Sequence, residues 1–199
     1  LGNVSMAEKD SLSYIATEKV YMSGNCQKTV QNFNKYLEEF PKGNFVLNAN
    51  YYIGDCLYKQ GQVEEALPYF NYVVQRQKNQ FTEQTLLAVS DIYMQTERHA
   101  EAFEVYDMLE TLADVKTNLL EARVGKLRSA SKLNRPQDVV EAAAKVLITE
   151  KLPPEIEREA RYERAHALVA LNRTDDAFDE FAFLSENVKS PQGAEAKYM

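Results

Sequence analysis

The chain has 199 residues, 45% hydrophobic and 27% charged, which is enough apolar surface for a core. Seven glycines and six prolines are too few for a turn-rich β-sandwich, and a net charge of −7 argues against a surface built to neutralise phosphates. No apolar run approaches the ~18 residues of a membrane span; no signal peptide is visible, but the chain opens on Leu1 rather than Met, so nothing about a leader follows from that.

In chain order, helical periodicity predicts first helices near 10–23, 46–60, 82–96, 117–133 and 155–171. Second helices alternate with them near 26–40, 63–77, 98–113, 136–149 and 174–187. Val63, Ala66, Leu67, Phe70, Val73 and Val74 form one apolar stripe at i, i+3, i+4, i+7 spacing, and Ala102, Phe103, Tyr106, Leu109 and Leu112 form another. Strict alternation, the strand signal, is absent. Breakers separate the stripes: Gly24, Gly61, Asn134-Arg135-Pro136 and Asn172-Arg173-Thr174. Gly61 suits a helix C-terminus and Pro136 a first turn. Cys26 and Cys56 read as two small buried or half-buried thiols, with a single disulfide open to them in an oxidising compartment. His99 and His166 are far apart, and no ligand-like spacing points to zinc.

The elements repeat. Blocks begin near Asp10, Leu47, Glu83, Leu120 and Arg158, with a sixth opening near Ala194, and successive starts differ by 37, 36, 37, 38 and 36 residues. Glu121-Ala122-Arg123 matches Glu159-Ala160-Arg161, and Glu195-Ala196-Lys197-Tyr198 extends the match. The blocks span about 10–46, 47–82, 83–119, 120–157 and 158–193, and 194–199 starts the sixth. A single array is expected, a piece of a longer one, whose uncapped C-terminal end frays, packs on another molecule or self-associates.

Gly54, Leu57, Tyr58, Gly61, Ala66 and Phe70 in block two resemble the tetratricopeptide repeat family, as do Ala165, Leu171, Ala177 and Phe181 in block five. The resemblance covers about residues 10–199. It implies an all-α, right-handed superhelical solenoid of helical hairpins. The spacing exceeds the family's usual 34 through connectors such as Phe40-Pro41-Lys42-Gly43-Asn44-Phe45. That wording resembles bacterial cell-envelope members, namely the periplasmic protein of the Tol–Pal system and the lipoprotein of the outer-membrane β-barrel assembly machine. A periplasmic or outer-membrane-associated location is the corresponding expectation.

In this family the first helices line a concave groove. One groove position here gives Tyr14, Tyr51, Leu87, Val124 and Tyr162. The next gives Glu18, Asp55, Asp91, Arg128 and His166, and a third gives Tyr21, Tyr58, Met94, Ser131 and Val169. Tyrosine offers apolar area and a hydroxyl at little entropy cost, which suits an interface, although some of these rings are equally suited to packing between helices. The candidate site is Tyr14, Glu18, Tyr21, Tyr51, Asp55, Tyr58, Leu87, Asp91, Met94, Arg128, Tyr162 and His166. The Lys, Arg and Asn clamp of chaperone-binding members is missing at Tyr14, Glu18, Tyr52, Gln84 and Ala88. The expectation is a non-catalytic scaffold that binds a protein or peptide and needs no cofactor and no metal. No nucleophile elbow or phosphate loop points to an enzyme. The alternative is a nucleic-acid-binding repeat that uses Arg123, Lys126, Arg128, Lys132, Arg158, Arg161 and Arg164.

Overall fold

The structure is a computed structural model and describes residues 5–186 and 191–196. Among these it has eleven helices and no strand. The first helices are α1 Met6–Met22, α3 Val46–Lys59, α5 Thr82–Gln95, α7 Lys116–Lys132, α9 Pro154–Ala170 and α11 Pro191–Ala196. The second helices are α2 Cys26–Glu39, α4 Val63–Val74, α6 His99–Leu112, α8 Pro136–Leu147 and α10 Thr174–Ser185. They fall within a few residues of the spans expected from periodicity. α1 starts earlier because Ser5 and Glu8 form a reciprocal cap: the Glu8 N–H donates to Ser5 Oγ at 3.2 Å and the Ser5 N–H to the Glu8 carboxylate at 2.7 Å. α11 opens the sixth block a few residues upstream of Ala194, and the end of that block, 197–199, lies outside the described residues.

One backbone device closes every hairpin. Gly24, Gly61, Glu97, Asn134 and Asn172 share one register position, and all have positive φ, between 52° and 78°. In four of the five, the next N–H reaches back to a carbonyl inside the first helix: Gln62 to Leu57, Arg98 to Tyr93, Arg135 to Ala130 and Arg173 to Leu168. This is the C-terminal cap that a left-handed residue permits, and Gly and Asn adopt it at least cost. Glu97 does so without that advantage.

The chain divides into two compact units, Leu1–Ile92 and Tyr93–Met199. In the first, the side chains of Phe33, Ile53 and Phe70 are buried almost completely. Full burial of such a side chain contributes about 1.5–3 kcal/mol. Gly54 lets α3 approach α4, since a Cβ there would stand 2.7 Å from the Phe70 ring. The long α2–α3 connector is tied down by Asp10, a buried carboxylate of α1. It accepts from the Tyr36 hydroxyl and, at 2.9 Å, from the Asn44 N–H. Cys26 and Cys56 are not free thiols: they form a disulfide across 30 residues of chain, joining the start of α2 to α3. Stacking brings residue 26 of one hairpin against residue 56 of the next, a closeness invisible in sequence spacing.

In the second unit, neighbouring helices from α6 through α11 pack pairwise. Small residues dominate its seams: Ala102, Ala122, Ala130, Ala143, Ala160 and Ala165 are fully buried. Ion pairs close its edges. Glu180 on α10 is 3% exposed and accepts from Arg161 at 3.0 Å and from Arg164. Glu110 on α6 accepts from Lys145 at 2.8 Å and pairs with Arg123 and Lys126. Among the described residues no helix is long and apolar enough to cross a membrane.

Candidate partner-binding ladder

In the first unit, the expected groove residues of α1, α3 and α5 form a connected ladder. The Tyr21 hydroxyl donates to Asp55 at 2.8 Å, and Tyr58 donates to Asp91 one hairpin later. Tyr14 donates to Glu18 within α1, and Tyr52 donates to the same Glu18 oxygen at 3.2 Å from α3. Each rung therefore has a carboxylate fixed by phenols. The rings are ordered by neighbours too: Tyr21 lies 4.3 Å from Tyr52, centroid to centroid, Tyr51 stacks on Phe81 at 4.2 Å and Tyr14 on Phe45 at 4.1 Å. Offset and stacked contacts of this kind add to simple burial. Tyr14 is only 5% exposed, so it serves the ladder through its hydroxyl rather than as a contact ring. Tyr21, Tyr51, Asp55, Tyr58, Leu87 and Asp91 are half-buried, each with an edge in solvent.

Electrostatics follow from this geometry. Burial first, and then the carboxylate each one faces, holds the phenols of Tyr14 and Tyr21 well above the usual tyrosine range. They stay neutral donors at any physiological pH.

In the second unit the same register positions are joined differently. Met94 sulfur accepts from Ser129 at 3.3 Å. Arg128 grips Glu159 through two hydrogen bonds of 2.6 and 2.8 Å. Ser131 donates to Glu163, and Tyr162 to Glu195 at 2.8 Å. Burial and that bond push the Tyr162 phenol up to about 12. His166 sits 3.7 Å from the Glu195 carboxylate and edge-on to Tyr162. The structure thus joins Tyr14, Glu18, Tyr21, Tyr51 and Asp55 into one network through Tyr52, and pairs Tyr58 with Asp91.

Sequence reading did not find Asn48, whose amide donates to the Tyr14 hydroxyl at 3.1 Å, nor Phe45, Phe81 and Lys59. A one-turn spacing from Asp55 to Lys59 was the available signal for the last. Among the described residues no group of His, Cys, Asp and Glu could hold a metal ion.

Residues 31–80 match the tetratricopeptide repeat family model. No curated protein sequence matches the chain. Among solved structures, MamA from Desulfovibrio magneticus RS-1 is similar over 95% of this chain and 99% of its own, at 14% identity and a TM-score of 0.59. A putative kinesin light chain with nearly identical TPR-like repeats from Podosopora anserina covers 94% and 100%, at 16% identity and a TM-score of 0.54. Yeast Tom70 is similar over 95% of this chain and 38% of its own, at 16% identity and a TM-score of 0.51. At these identities the likeness is one of fold.

Proposed function

We propose that the chain, whose residues 31–80 match the tetratricopeptide repeat family model, is a non-catalytic scaffold of that repeat type. It binds a protein or peptide segment on the first-helix face of its N-terminal unit. The observation that carries this reading is the ladder of Glu18, Asp55 and Asp91, each held by a tyrosine hydroxyl of its own or a neighbouring hairpin. Oriented carboxylates edged by half-buried rings suit a segment carrying Lys or Arg, with its apolar stems along the tyrosines. The nucleic-acid reading fares worse. Arg123, Lys126, Arg128, Arg161 and Arg164 are all engaged by acids of this chain, so their charge is already neutralised locally.

The disulfide supports placing the scaffold in an oxidising compartment such as the bacterial periplasm. Maleimide labelling of the denatured chain from its host tests this: labelled cysteines in the unreduced sample would reject it. The site is tested by a photo-crosslinking residue at Leu87, on the ladder, and at the exposed Glu104 of α6. A partner crosslinked from Leu87, and lost on Glu18→Gln plus Asp55→Asn, is the expected result. Crosslinks from Glu104 alone would move the site to the second helices.

A further inference from the structure

Tyr21 and Cys26 stand at the two ends of the first hairpin turn, and both are joined to the same point of α3. The Tyr21 hydroxyl donates to Asp55 at 2.8 Å. Cys26 is bonded to Cys56, the neighbour of Asp55 in sequence. α2 packs on both α1 and α3, whereas α1 meets α3 through side chains such as Tyr14 on Asn48 and Tyr21 on Tyr52 and Asp55. The Asp55 rung therefore depends on where the 21–26 turn is held, and the disulfide is the covalent hold on it. This turn also differs from the other four. Gln62, Arg98, Arg135 and Arg173 each direct an N–H into the first helix, but among the described residues no acceptor meets the Asn25 N–H. The Cys26 N–H turns back to the Gly24 carbonyl at 3.0 Å, closing a three-residue turn about Asn25, whose φ of −84° and ψ of 78° suit it. An attacking thiolate can approach the bond from one side. Cys26 is half-buried beside the exposed Ser23, Gly24 and Asn25, while Cys56 is fully buried.

We propose that the Cys26–Cys56 bond is a redox latch on the partner site: closed, it holds Tyr21 and Asp55 in place for a basic segment, and a dithiol reductant opens it and weakens binding. This rests on the ladder being the partner site. A thiolate of the reductant attacks Cys26 Sγ, the S–S bond breaks, and Cys56 leaves as a thiolate that takes a proton. The reductant's second thiolate then displaces Cys26 from the mixed disulfide, and Cys26 takes the second proton. The chain gains two electrons and two protons, and the reductant ends as its own disulfide. The turn is then free to take the cap of the other four, with the Asn25 N–H on the Val20 carbonyl, the acceptor that the register assigns to it. Tyr21 shifts with the turn, and Asp55 loses a fixed donor. Binding then has to order that side chain again, which lowers affinity about two- to tenfold.

The test titrates a dye-labelled, lysine-rich peptide at low salt against the whole chain in three states: oxidised, reduced with dithiothreitol, and reoxidised. Affinity should fall about two- to tenfold on reduction and return on reoxidation. Cys26→Ser with Cys56→Ser should bind as the reduced chain does and not respond to the reductant. Hydrogen exchange separates a latch from general loosening: on reduction the Asn25 amide should gain protection while helix amides of α1–α4 lose it. No gain at Asn25 would overturn the latch. Circular dichroism checks that each form stays helical. If reduction leaves affinity unchanged while Glu18→Gln lowers it, the latch is refuted and the ladder survives as the site. A bond that dithiothreitol opens only in the denatured chain refutes the latch as well. If Glu18→Gln and Asp55→Asn bind the peptide as the parent does, the ladder is not the site, and both readings fall.

Discussion

The two units solve one packing problem from opposite sides. Phe33 and Tyr106 share a register position on second helices, and Tyr52 and Gly125 share one on the first helices that follow. In the N-terminal unit both places are aromatic, and Phe33 and Tyr52 lie ring to ring at 5.7 Å. In the C-terminal unit Tyr106 fills the space alone, over a glycine whose Cβ would stand 2.2 Å from the ring. The edges differ likewise. Phenol–carboxylate bonds and a disulfide join the first unit, whereas guanidinium and ammonium groups on Glu110 and Glu180 join the second. A repeat register thus dictates where helices meet and leaves open which chemistry holds them. The chemistry with solvent-facing rings is the one suited to a partner.

The largest expected effect breaks this comparison at the disulfide. Closing a loop of 30 residues stabilises by about 3–4 kcal/mol through lost chain entropy in the unfolded state. Reduction, or Cys26→Ser with Cys56→Ser, should lower hydrogen-exchange protection in α1–α4 and leave α7–α10 as before. Equal loss in both units would mean that they unfold as one, and no loss would mean that the bond is idle.

Gly125→Ala is the counterpart in the second unit. The new methyl cannot coexist with the Tyr106 ring where it lies, and the ring is buried. The overpacking should cost about 1–3 kcal/mol, read as a lower urea midpoint for α6–α9. Adding Tyr106→Leu should recover part of it. An unchanged midpoint would show that this seam is looser than its small residues imply.

Gly125 illustrates what was legible in the sequence and what was not. Helix spans, hairpin turns and register follow from periodicity and breakers, because they depend on local backbone preference and one repeated apolar face. Ala66 and Ala102 were readable as members of apolar stripes and Ala177 as a repeat position, and each is buried. Gly125 was not, since its role depends on a ring from the preceding helix. The cysteine pair, the buried Asp10 and the buried Glu180 are opaque for the same reason: each is explained by a partner 16 to 34 residues away, chosen by stacking. Glu97, a left-handed residue with no conformational advantage, hides behind its side chain type. The tyrosine–acid pairing was visible as a pattern along α1 and α3. That Tyr21 reaches Asp55 in the next hairpin, rather than the acid of its own, was not.

The smallest expected effect sharpens the comparison at Arg128. It shares the middle groove position with Glu18, Asp55 and Asp91, so the register alone offers it as a partner contact. Its fork is occupied by Glu159, and this bond, ahead of the opposing effect of burial, holds the guanidinium above its ordinary range. Arg128 is 45% exposed and Glu159 27%, and exposed pairs of this kind contribute roughly 0.2–1 kcal/mol. Arg128→Gln should therefore shift the melting temperature by a degree or a few at most, about what so small a free-energy change gives in a domain of this size. Its effect on partner affinity should be smaller than that of Asp55→Asn measured on the same partner. The two substitutions occupy one register position and differ in what holds the side chain, so their ratio isolates the chemistry from the fold. If Arg128→Gln weakens binding more than Asp55→Asn does, the partner lies along the second unit, and the bidentate pair opens on binding.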